Sequence, residues 1–199
     1  MGWVSASRDS NQVGEWVRPI ARAICYYRNI KGRERYTRKL LQAAATAADF
    51  IVRNATDQVG DRAHVLRHFS YPPYTPTQTT PLKRTLYHQE GRQCEVYTGR
   101  AMAGVSYTAY AMALCGKSVP ESWLTVLRET TAWARERMEP RGGWFDWGCE
   151  DIVEGGCHTF LGNMYIGEGT MGEFMLEQKL GHRAEARRAA EATKLAYHY

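Results

Sequence analysis

A chain of 199 residues with 44% hydrophobic side chains holds apolar material for one substantial core, and it is too short for two ordinary domains. The net charge of +5 does not by itself mark a nucleic-acid binder, because bases and acids alternate along amphipathic stretches such as Arg135-Glu136-Arg137 and Arg183-Ala184-Glu185-Ala186-Arg187-Arg188. Five scattered cysteines argue against a disulfide framework, and no apolar run approaches membrane-spanning length.

Met1-Gly2-Trp3-Val4-Ser5-Ala6 lacks the charged and apolar regions of a secretory leader. The expectation is a soluble, cytoplasmic protein with neither nucleic acid nor membrane as partner. The first helix begins so soon that the chain also reads as a piece of a longer protein.

The first helical pattern covers 15–27, turns at Asn29-Ile30-Lys31-Gly32, and restarts over 33–52, where Leu40, Leu41, Ala44, Ala48 and Ile51 recur at helical spacing. A connection over 54–94 follows, long enough to hold short strands or substrate-facing loops. His64 and His68 lie four apart within it and read as residues lining a mouth, with Arg67 nearby.

Glu90-Gly91-Arg92-Gln93-Cys94 leads to Gly99 and a helix over 100–114 that turns at Cys115-Gly116-Lys117. Ser118-Val119-Pro120-Glu121 reads as an N-cap serine with proline in the first turn. The next helix carries Trp123, Leu124, Val126, Leu127, Thr131 and Trp133 as a buried stripe. After a connection over 139–157, Glu154-Gly155-Gly156-Cys157 leads to Gly162, a helix to Leu180, a turn at Gly181-His182 and a helix over 184–198. Gly14 opens a weaker copy of the same pattern, so the chain is a tandem of about three helical hairpins.

Inner helices rich in Gly, Ala and Tyr, outer charged helices and the aromatic loop Gly143-Trp144-Phe145-Asp146-Trp147 resemble the α/α-toroid superfamily of six-hairpin glycosidases, polysaccharide lyases and sugar epimerases. That resemblance covers most of the chain. It implies an all-α fold, part of an (α/α) toroid, acting on an oligosaccharide or polysaccharide. Complete toroids of this kind close with five to seven hairpins, so three imply either homo-oligomerisation or a missing toroid half.

In such a ring the loops before the inner helices converge on one mouth. The resemblance thus selects Asp146, Glu154 and Glu168 as carboxylates for glycoside hydrolysis, which needs an acid and a base or nucleophile flanking one bond. Asp146 lies between Phe145 and Trp147, where desolvation and stacking are both available. Glu168 lies in Gly167-Glu168-Gly169 within an apolar helix, which implies a close backbone approach, a ligand, or a buried pair with an arginine such as Arg100. Trp144, Trp147, Tyr97, Arg100 and Tyr165 are the candidate sugar contacts.

Two alternatives stay open. His158, Tyr97 or Tyr165 would serve a lyase or epimerase, with Arg62, Arg67, Arg84 and Arg92 neutralising a uronate. A non-catalytic helical-repeat interaction module fits the count of three hairpins. No cofactor is expected from the acid pair, but Cys94, Cys149 and Cys157 with His158 form a soft-ligand set that would take zinc. Glu154-Gly155-Gly156-Cys157 is similar to a segment of zinc-dependent β-L-arabinofuranosidases, and Cys157-His158 resembles the zinc ligands of lanthionine cyclases, with Thr159 in place of their glycine.

Overall fold

A computed structural model describes residues 10–67, 69–70, 85–86, 98–138 and 159–197. Among them the chain is all-α apart from two small sheets. Six helices run α1 (Ser10–Tyr27), α2 (Glu34–Ala55), α3 (Thr98–Leu114), α4 (Glu121–Arg137), α5 (Thr159–Leu180) and α6 (Arg183–Tyr197). No helix among the described residues is long and apolar enough to cross a membrane.

The three hairpins read from the sequence are α1–α2, α3–α4 and α5–α6. Each turns at a glycine with positive φ, namely Gly32 at 83°, Gly116 at 67° and Gly181 at 82°. A side chain is disfavoured there because the left-handed conformation crowds a Cβ atom. The N-cap expectation at Ser118 is corrected: Pro120, with ψ 135°, is the capping residue and no side chain caps α4. Proline supplies the extended backbone that a cap needs, so the helix starts directly after it.

Within each hairpin the first helix belongs to an inner layer. Gly104 lies so near Gly14 that a Cβ on it would stand 2.6 Å from the Gly14 Cα, which brings the starts of α1 and α3 together. Their far ends meet where Arg28 Nη1 donates to the Leu114 carbonyl at 3.4 Å. α1 and α3 are therefore parallel. Gly99 abuts Tyr165, Gly169 abuts Met102 and Gly172 abuts Ser106, so α5 runs parallel to α3 in turn.

The middle position of α3 explains its sequence. From Thr98 to Ala111 only Arg100 and Tyr110 escape burial, and small residues allow neighbours on both sides. The outer helices are amphipathic instead. α2 buries Leu41, Ala44, Ala48, Ile51 and Val52, and α4 buries Trp123, Leu124, Val126, Leu127, Thr131 and Trp133, the stripe expected from its periodicity. α6 packs antiparallel on α5 through Thr170 and Thr193, whose hydroxyls lie 2.8 Å apart.

The first long connection does hold strands. β1 (Thr56–Val59) pairs antiparallel with β2 (Arg62–Leu66) in the register Thr56↔Leu66, and β3 (Phe69–Ser70) pairs with β4 (Thr85–Leu86). β2 is fastened along α4: Arg62 forks onto Glu136, the His64 backbone donates to Glu129 at 2.7 Å, and the Leu66 backbone donates to Thr130 at 2.9 Å.

Candidate functional site

Parallel inner helices bring their first turns to one end, and there five polar side chains interlock. Arg100 of α3 donates to Glu15 of α1 at 2.8 Å and to the hydroxyl of Tyr165 on α5. Its guanidinium also stacks over the Tyr165 ring, 4.0 Å from the centroid. One helical turn deeper, Arg18 of α1 pairs with Glu168 of α5. Glu15 and Arg18 are three apart on α1, and Tyr165 and Glu168 three apart on α5, so each pair shares a helix face. The five residues close a circuit through all three inner helices.

Three candidates from the sequence, Arg100, Tyr165 and Glu168, thus lie together. The expected pairing of Glu168 with Arg100 is corrected, since Arg18 is its partner. Arg100 points instead toward Glu15 and Tyr165, and helix α1 supplies the missing cation. Neither Glu15 nor Arg18 stood out in the sequence. The available signal was their spacing of three on α1, off the stripe of the buried Val13, Val17, Ala21 and Ile24.

The glycines around Glu168 resolve into packing. A Cβ on Gly167 would stand 2.6 Å from the Tyr197 ring, and one on Gly169 would stand 2.9 Å from the Met102 side chain. The first lets α6 close on α5, and the second lets α5 close on α3. Glu168 itself keeps 23% of its side chain exposed, so the carboxylate is reachable from solvent. Tyr165 is buried, with one ring face taken by Arg100. Farther along the same layer Arg22 lies over Tyr107, 5.5 Å from the ring centroid, and burial pushes the Tyr107 phenol up.

Asp146, Glu154, His158, Trp144, Trp147 and Tyr97 lie outside the described residues, as do Cys94, Cys149 and Cys157. Among the described residues no group of three or more His, Cys, Asp or Glu side chains is arranged to hold a metal ion. His64 is corrected from mouth residue to outer-layer fastener: its Nδ1 lies 3.3 Å from Glu129 of α4. Arg67 is buried with its guanidinium 5.3 Å from the centre of the Trp133 ring. Arg62 is committed to Glu136, and Arg84 and Arg92 lie outside the described residues.

A second group of titratable side chains sits inside the stack, distinct from every candidate site residue named above. Glu173 and Glu177 of α5 are 2% and 0% exposed. Arg128 of α4 forks onto Glu177 with Nε at 2.7 Å and Nη2 at 3.2 Å, and this bond raises the Arg128 pKa further. His182 Nδ1 approaches Glu177 at 2.6 Å. The Thr131 hydroxyl bonds Glu173, whose carboxyl is pushed up to about 8, chiefly by burial. A raised acid is a frequent mark of catalysis. This one faces α4 and has no access to solvent, so substrate has no path to it.

Comparison with protein-family models, curated proteins and solved structures returned no match.

Proposed function

We propose that the chain forms half of an α/α toroid and hydrolyses glycosidic bonds of an oligosaccharide at the inner-face circuit. The observation that carries this reading is the solvent-reachable Glu168, anchored by Arg18 beside Arg100 and Tyr165. A guanidinium partner favours the charged form of a carboxylate, the form a base or nucleophile uses. Glu168 takes that role, and Asp146 or Glu154 supplies the proton. Trp144, Trp147 and Tyr97 would stack on sugar rings. The ring is completed by a second copy or by further hairpins, for which the 67% exposed Trp16 on the flank of α1 offers contact.

The test is release of new reducing ends from a panel of oligosaccharides, with Glu168→Gln and Asp146→Asn as variants and light-scattering mass alongside. Loss of turnover with sugar binding retained supports hydrolysis. Unchanged binding and turnover in both variants sinks it.

One observation favours a second reading. Glu15, Arg18, Arg100 and Glu168 already satisfy one another, as in a helical-repeat interaction module that binds partners without chemistry. No turnover on any sugar, with an unchanged fold, is the result this reading expects. The uronate-acting alternative loses support from Arg62 and Arg67, since one is paired and the other buried.

A further inference from the structure

Glu173 and Glu177 stand one helical turn apart on α5, and the nearby cations are unequally shared between them. Glu177 takes Nε and Nη2 of Arg128, and the His182 Nδ1 lies 2.6 Å from it. Glu173 receives the neutral hydroxyl of Thr131. The charges acting on Glu173 are Glu177 on its own helix, Arg128 on α4 and Arg188 on α6. Two buried carboxylates this close do not both ionise without a heavy desolvation and repulsion cost. Arg128 stabilises charge on Glu177, so the proton belongs to Glu173. The Thr131 hydroxyl rotates to suit and complements a protonated carboxyl as well as a charged one.

We propose that Glu173 is a proton-held latch: as a neutral acid it lets α5 seat against α4 and α6, and rising pH weakens that junction. The latch is independent of any reaction at the inner face. Burial is the largest influence on this carboxyl, moving it from an ordinary 4.5 to about 8. A folded-state value above the unfolded one means that the contribution to stability is complete below about 4.5. It is then lost as pH rises toward about 8. In that window the folded state holds one proton more than the unfolded state at this position. The folding equilibrium constant then falls about tenfold per pH unit.

The experiment is denaturant unfolding of the full chain from about pH 5 to about pH 9, wild type against Glu173→Gln. Glutamine keeps the shape and cannot ionise. The ratio of folding constants, variant over wild type, is expected to climb about tenfold per pH unit and level off above about pH 8. Parallel curves overturn the proposal. Should Glu173→Gln fail to fold, the infrared carbonyl stretch of a protonated carboxyl in the native wild-type protein decides. Its presence at neutral pH and disappearance in alkali support the latch, and its absence at neutral pH overturns it.

Discussion

Two clusters of opposite charge hold the inner helices, and they differ in what water can reach. On the inner face, Arg18–Glu168 and Arg100–Glu15 bridge α1, α3 and α5 with side chains 19–46% exposed. Between the layers, Glu177 is fully buried beneath Arg128 and His182. The same chemistry has different consequences in the two settings. A solvated pair is screened and contributes little, so its members are free to exchange a protein partner for a ligand. Glu177 has given up its hydration although Arg128 keeps 30% of its side chain exposed, so a lost partner leaves a carboxylate with no water to replace it. A site for ligand belongs on the first and structural commitment on the second.

The sharpest way to break this contrast is Arg128→Ala. It leaves the Glu177 carboxylate buried with only His182 beside it, and the expected loss is about 3–5 kcal/mol in a denaturant melt. Replacing the pair together, Arg128→Met with Glu177→Gln, should recover much of that loss because no buried charge remains. If Arg128→Ala costs no more than a surface substitution, the two clusters are energetically alike and the contrast fails.

A smaller effect tests what brings the inner-face circuit together. In Gly104→Ala the new methyl would meet the Gly14 Cα at 2.6 Å, backbone against backbone, where no rotamer change gives relief. Alanine gains about 1 kcal/mol of helix propensity over glycine. Overpacking costs about 1–3 kcal/mol or somewhat more, so net destabilisation is expected in thermal melts. Since α1 must move away from α3, Arg100 should also lose its hold on Glu15. The equivalent change at Gly116 meets no atom within 4 Å but falls at φ 67°, so its cost is backbone strain alone.

These positions also explain what the sequence made legible. Turn glycines at 32, 116 and 181 have a local cause, the left-handed φ after a helix, and local causes can be read from one sequence. The all-round apolar α3 and the stripe on α4 follow periodicity in the same way. Partner choice is not local. Glu168 stood out between two glycines, yet its cation, Arg18, comes from a helix 150 residues earlier, and only the parallel packing of α1 and α5 on α3 selects it over Arg100. The spacing of His64 and His68 fits one face of a helix, but His64 lies in a strand, because pairing of its segment with β1 decides its conformation. Glu173 carried the signal that singled out Glu168, an acid beside a glycine in an apolar helix. Glu173 and Glu177, four apart, could have been read as one buried face.

The smallest effect is the one on which the functional reading turns. A double-mutant cycle on Arg18→Met and Glu168→Gln should return a stability coupling of at most about 1 kcal/mol, because both side chains keep roughly a quarter of their surface in water. If Glu168 serves a ligand, Glu168→Gln changes sugar turnover far more than it changes the melt. Arg18→Met should then also alter the pH profile of that turnover, since it removes the cation that favours the charged carboxylate. A coupling of several kcal/mol would instead place this pair in the same structural class as Arg128 and Glu177. The inner face would then be a fastening between helices, and catalysis would have to be sought among Asp146, Glu154 and His158.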